Sequence, residues 1–418
     1  MKLSNLANNI TTSPILTFAA SVNAKIANGE KIYNLTVGDF NSNIYPIPSE
    51  LKTEIINAIG DNQTNYPGAA GMPKLRNGVA NLIEKYCNVK IDINDILIAS
   101  GSRPLIYATF KTIVDVGDKV LFPVPSWNND YYATLSAGEA VAVETKAENN
   151  FMPTRDELLP HIQDAVLLAL CSPQNPTGTV LSKQQLIDIC DLVVTENKRR
   201  GANEKPLFVM FDQVYWLMAF KEGVFHHALS VNPEMQKYAI FIDGLSKSFA
   251  GTGVRVGWAT GPSEVIDKMR AFVAHIGAWA PKAEQVATGE YFQDLAKVDG
   301  FIRNFNSKLQ IVLEKLYDGF IDMKNSGLSV DSIKPEASIY LSIKMDLVGK
   351  TTKDGVILKN VDSVQEFLLN EAKVAILPFS WFGATNNNNW YRISIGTCPP
   401  DAIDNILGNI KNAILSLK

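Results

Sequence analysis

Residues 239–260 read AIFIDGLSKSFAGTGVRVGWAT. An apolar run (239–242) gives way to Asp243, Gly244, Ser246 and Lys247. After Gly251, Gly253 and Arg255 comes a second run (256–260). Neither run alternates apolar with polar residues, so both read as strands covered on both faces. The pattern recurs upstream. Apolar runs at 96–99, 120–123, 140–144, 165–171 and 207–211 are separated by amphipathic stretches such as 183–198, where Leu186, Ile189, Cys190 and Val193 recur at helical spacing. Strand and helix in alternation from about residue 70 to 265 predict an α/β fold: a mainly parallel seven-stranded sheet with helices on both faces. Ligands bind such sheets at the carboxyl ends of the strands, which makes the residues just after each run the ones to inspect.

Beyond residue 300 the pattern changes. A long helical stretch (301–323) precedes shorter strands (339–343, 374–377, 391–395) and a final amphipathic helix (400–417), as in a smaller α+β domain. The expected division is a large domain over 46–300 and a small domain made of 1–45 and 301–418. Asn386–Asn389 reads as a loop. With 418 residues, 46% hydrophobic and 20% charged, the composition is that of an ordinary globular protein. A formal charge of −4 gives no reason to expect nucleic acid or anionic membrane as a partner. Four scattered cysteines and four histidines show no metal-ligand spacing, so no metal is expected, and reduced thiols point to the cytoplasm. The apolar stretch 14–22 runs into a helix-like segment that Gly29 can end. It reads as the protein's own first helix rather than a signal peptide.

Four strand ends carry unusual residues. Ser100-Gly101-Ser102-Arg103 is a small-residue turn before a helix start, suited to an anion and equally to a plain tight turn. The loop Cys171-Ser172-Pro173-Gln174-Asn175-Pro176-Thr177-Gly178 holds the Asn175 amide at a strand end. Asp212 closes the next apolar run, with Tyr215 three residues on. A carboxylate there is a helix cap, an ion-pair partner or a functional acid. Lys247 follows the next run, and Arg255, whose planar fork suits phosphate, lies among glycines. Each feature has a bland explanation taken alone. Together they supply a lysine nucleophile, a carboxylate and a phosphate cradle, the inventory that pyridoxal 5'-phosphate (PLP) requires.

The set resembles the class I/II aminotransferases, fold-type I PLP enzymes of the aspartate aminotransferase superfamily. The resemblance runs from Asn34-Leu35-Thr36-Val37-Gly38 through Asn65-Tyr66-Pro67-Gly68, the N-P-T-G loop and S-K-S-F-A-G-T-G-V-R-V-G-W to Tyr391-Arg392-Ile393-Ser394. It implies the PLP transferase fold and an aminotransferase passing the amino group of an L-amino acid to a 2-oxo acid through pyridoxamine phosphate. It also implies that Lys247 forms the aldimine and shuttles the proton. Asp212 would keep the pyridine nitrogen protonated, and Asn175 and Tyr215 would bond the phenolic oxygen. Gly101, Ser102, Arg103, Ser246 and Arg255 would hold the phosphate. Trp127 would stack on the ring, its alternative being a core tryptophan. Arg392, Gly38 and Asn175 would bind the substrate carboxylate. A tyrosine placed like Tyr66 reaches the partner's phosphate, which implies a homodimer.

Three departures stand out. Gly244 replaces the first serine of S-x-S-K, which removes a phosphate hydroxyl. Asp39-Phe40-Asn41 replaces the common G-x-P-D-F. Residues 275–282, where side-chain specificity is often shaped, offer no alignable arginine for a second carboxylate. The same scaffold supports elimination, so a carbon–sulfur lyase is the main alternative. A PLP-sensing regulator would need a DNA-binding domain ahead of the fold, and the resemblance starts too early for one.

Overall fold

The computed structural model describes residues 2–220, 223–385 and 388–418. A short strand, β1 (Tyr33–Asn34), precedes the main sheet. The sheet consists of β2 (Ile96–Ala99), β3 (Lys119–Val124), β4 (Glu139–Glu144), β5 (Ala165–Cys171), β6 (Phe208–Asp212), β7 (Ala239–Gly244) and β8 (Gly257–Thr260), in the order β2-β8-β7-β6-β5-β3-β4. Neighbours from β4 to β7 are parallel, and β8 runs antiparallel to both β7 and β2. The connection from β7 to β8 carries only the short helix Leu245–Ser248, too little for a crossover, so the chain turns back beside β7. Both faces are covered. Leu167 and Ala169 of β5 enter one core with the helices Ser102–Ile113 and Ser263–His275, while Leu168 and Leu170 enter another with Lys183–Arg200. This two-sided burial is why the runs read as continuous.

The second layer is a four-stranded antiparallel sheet of β9 (Val330–Ser332), β10 (Tyr340–Met345), β12 (Leu377–Pro378) and β13 (Trp390–Ser394), with β11 (Val374–Ala375) pairing instead with β1 in parallel. Stretch 374–377 was expected as one strand. It is split at Ile376, whose carbonyl accepts from Gln365 Nε2 at 3.0 Å. The helix expected over 301–323 runs instead from Leu295 to Asn325, because Asp294 caps it through the Ala296 and Lys297 amides. It passes through position 300. The last helix is Ile403–Leu415, preceded by the single turn Pro400–Ala402. The first long helix is Pro14–Ala27, and its Ile15 and Val22 pack against Leu377 and Ala375. Asn386 and Asn387 lie outside the described residues; Asn388 and Asn389 belong to no strand or helix. Among the described residues no helix is long and apolar enough to cross a membrane.

Candidate active site

The carboxyl ends of β2, β5, β6 and β7 converge on a cavity of about 310 Å³, closed from the other side by the small sheet and the segment after β1. Gly38, Ser102, Arg103, Trp127, Asn175, Asp212, Tyr215, Ser246, Lys247, Arg255 and Arg392 all line it, with Gly101 directly behind. A larger hollow of about 460 Å³ beside Tyr33 and Cys398 holds none of these groups. Tyr66 stands apart. It is 84% exposed, and among the described residues its ring meets only that of Trp279, 5.4 Å away. Residues 275–282 lie beside it and against the first turn, where Ala278 O accepts from Ser100 N at 2.9 Å.

Lys247 sits in the one-turn helix after β7 and donates to the Gly38 carbonyl. Burial pulls its amine down to about 8. Asp212, at the end of β6, makes only a long contact with the Val214 amide (3.4 Å), and burial raises its carboxyl to about 6. A carboxylate so enclosed and so weakly bonded is suited to a cation brought in by a ligand. Tyr215 shares a 2.8 Å hydrogen bond with Tyr340, and burial pushes its hydroxyl well up.

Arg392 is 1% exposed and has no carboxylate partner among the described residues. Its Nη1 donates to Asn175 Oδ1 at 2.9 Å and its Nη2 to the Thr36 carbonyl. Tyr340 and Phe382 flank the guanidinium at 4.7 and 4.9 Å, and Nε has no hydrogen-bond partner among the described residues. A desolvated cation without an anion is costly, and such a guanidinium is suited to a carboxylate. Gly178 makes this docking possible, since a side chain there would run into the Tyr340 carbonyl.

The anion cradle rests on glycines. Arg255 is held by Thr252 O and Ser100 O, each at 2.8 Å. It lies so close to Gly101 (φ +89°) that a Cβ there would overlap its guanidinium. A Cβ on Gly257 would meet Ser102 N at 2.8 Å, and one on Gly244 would meet Val256 O at 2.8 Å. The departure at Gly244 thus has a steric cause: the backbone of Val256 and Gly257, at the start of the neighbouring strand, fills the space a serine would need. The free amides at the start of Ser102–Ile113, the Arg255 fork and the nearby Ser246 hydroxyl fit a phosphate group. Gly101→Ala should therefore loosen anion binding by at least ~10-fold and lower the melting temperature. Gly117→Ala, also at positive φ (+84°) but with open space around it, should show only the backbone strain. Equal behaviour of the two variants would remove the overlap argument.

Arg103 lies 5.7 Å from the Trp127 ring, which also packs toward Phe382 at 6.3 Å. Tyr340, Thr36, Asp39, Tyr132 and Thr252 are cavity residues that sequence reasoning passed over. Tyr340 lay inside an expected strand and offered no local signal. Asp39 was visible only as a departure from a loop pattern.

A seven-stranded sheet with a lysine, a carboxylate and a glycine-lined arginine at its strand ends, faced by a second, buried arginine, is an α/β enzyme architecture whose site fits PLP. The chain matches the family described as aminotransferase class I and II over residues 30–410, and it belongs to that family. It is thus an enzyme that transfers amino groups with PLP. It is 28% identical to the probable aspartate/prephenate aminotransferase of Rickettsia typhi over 401 residues, 94% of each chain. It is 27% identical over 402 residues to the aspartate aminotransferase of Bacillus sp. (strain YM-2), covering 94% of this chain and 95% of that one. Its fold superposes on the aspartate aminotransferase of Rhizobium meliloti with a TM-score of 0.91 at 22% identity, covering all of both chains.

Proposed function

We propose that this aminotransferase passes the α-amino group of an L-amino acid to a 2-oxo acid, with Lys247 as the residue that holds the cofactor and moves the proton. The observation that carries this reading is the buried, carboxylate-free Arg392 across the cavity from Lys247. PLP, when bound, supplies an electron-withdrawing ring that stabilises negative charge at the substrate Cα. Asp212 would face the ring nitrogen as its counter-charge, and Tyr215 and Asn175 would bond the ring oxygen. Gly101, Ser102, Arg103, Ser246 and Arg255 would hold the phosphate, and Trp127 would cover the ring. Arg392, with Gly38 and Asn175, would take the α-carboxylate. Lys247 Nζ, whose buried amine gives up its proton more readily than a solvated one, would take the proton from Cα.

We further propose that residues 46–300 form the large domain, with 1–45 and 301–418 the small domain that closes over the substrate. The exposed Tyr66 supports a homodimer in which it reaches the partner's site. Four free cysteines support a cytoplasmic setting.

The test is spectroscopic. An amino acid added alone should convert the bound cofactor stoichiometrically to its aminated form, and a 2-oxo acid should restore it. Release of ammonia and a 2-oxo acid with the cofactor unchanged would mean elimination instead. Arg392→Lys keeps the charge but loses the two-point fork. Its kcat/KM should fall at least ~10-fold for every amino acid tested, with cofactor retention unchanged. A loss confined to acidic amino acids would make Arg392 a side-chain specificity residue.

A further inference from the structure

The segment after β1 is clamped between the two sheets. On the small-sheet side, Leu35 O accepts from Ser394 N at 2.9 Å, Val37 O accepts from Ser394 Oγ at 2.7 Å, and Asn41 N donates to Gly396 O at 2.9 Å. Gly396 has no room for a side chain, because the Asp39 carbonyl lies against it. On the large-sheet side, the Gly38 carbonyl accepts from Lys247, and Asp39 Oδ1 accepts from Thr252 Oγ1 at 2.6 Å and from the Phe40 amide at 2.8 Å. Thr252 is the residue whose carbonyl holds Arg255 Nη1 at 2.8 Å. One chain of contacts therefore runs from the small sheet, through Asp39 and Thr252, to the arginine of the anion cradle.

We propose that Asp39 is a positioning residue of this site: by accepting the Thr252 hydroxyl it locks the entrance segment to the Arg255 arm, and it lines the same cavity as Lys247, whose amine donates to the carbonyl of the preceding residue, Gly38. The inference rests on the PLP reading above and extends it to a residue outside the expected cofactor set. Two functions separate within the one side chain. The first is geometric: without the Thr252 anchor, the carbonyl that aims Arg255 is free to turn. The second is electrostatic. Four charged groups act on Lys247: Asp39 from the entrance segment, Arg392 from β13, Arg103 from the helix after β2, and Asp212 from β6. Burial is the main force pulling the amine down, Asp39 opposes it more than Asp212 does, and the two arginines add to it. The same segment offers the Thr36 carbonyl to Arg392, so the carboxylate receptor and the cradle share one anchored segment.

The experiment uses the PLP-loaded enzyme and two readouts besides activity: the rate of cofactor loss on dialysis, and the pH midpoint of the bound cofactor's absorbance change. Asp39→Ala should lose cofactor at least ~10-fold faster, as expected for a hydrogen bond to a charged group. Thr252→Val should do the same, and the double variant should be no worse than either single one. Asp39→Asn still accepts the Thr252 hydroxyl. It should retain cofactor as the wild type does but shift the pH midpoint down by about one unit. Wild-type retention in Asp39→Ala, or losses that multiply in the double variant, would overturn the anchor. An unshifted midpoint in Asp39→Asn would overturn the electrostatic function. Should Asp39→Ala fail to fold, Thr252→Val and Asp39→Asn decide the matter alone. A wild-type protein that binds no PLP would instead refute the underlying functional reading, leaving a result distinct from all of these.

Discussion

Lys247→Ala should reduce amino transfer at least ~10⁴-fold, because the proposed function gives this one residue both the holding of the cofactor and the movement of the substrate proton. The fold should survive. Among the described residues the Lys247 amine makes one hydrogen bond, to the Gly38 carbonyl, and no ion pair, and burial already disfavours its charge. The variant should also keep PLP through the phosphate cradle, so activity and cofactor content separate cleanly. A melting temperature within a few degrees of wild type, bound PLP and no turnover is the expected triad. Turnover near the wild-type rate would sink the mechanism.

Asp212→Asn is the second large effect. The amide has the shape of the carboxyl but cannot balance a positive charge on the ring nitrogen, the role proposed for Asp212, so kcat should fall at least ~100-fold at saturating PLP. Stability should move the other way. Burial raises the Asp212 carboxyl from the ordinary 3.8 to about 6 in the folded, cofactor-free protein. The folded state therefore holds this proton more tightly than the unfolded state does. The resulting stabilisation is full below about pH 4 and is lost as pH rises through about 6. Cofactor-free Asp212→Asn should consequently lose less stability than wild type between pH 4 and 7. Melting curves across that range check the stability effect, and stopped-flow turnover checks the catalytic one. A full rate with a flattened stability profile would make Asp212 structural only.

Much of this molecule is legible along the chain. All seven strands of the main sheet follow from apolar runs bounded by turn residues, with ends shifted by a residue or two. Lys247, Asp212 and Asn175 could be picked out because each sits just past such a run, and the sheet's parallel order brings those ends together, while Arg255 stood out among glycines just before the last run. The small sheet was less legible. Its strands are short, and the break at Ile376 depends on a side chain eleven positions away.

What the amino-acid order determined by itself is the set of local choices: where strands stop, where glycine admits close approach, which residue types wait at the strand ends. These depend on neighbours a few positions apart, and backbone sterics and periodicity encode them directly. Only the tertiary structure decided what each residue meets. Arg392 reaches Asn175 across 217 positions and the Thr36 carbonyl across 356. Tyr215 finds Tyr340 across 125, and Asp39 finds Thr252 across 213. Gly178 read as part of a loop and Gly244 as a missing serine, yet one admits the small sheet and the other the backbone of the neighbouring strand β8. Such pairings come from how two sheets dock and how closely their backbones approach. They are set by packing summed over both cores, which no short window of sequence contains.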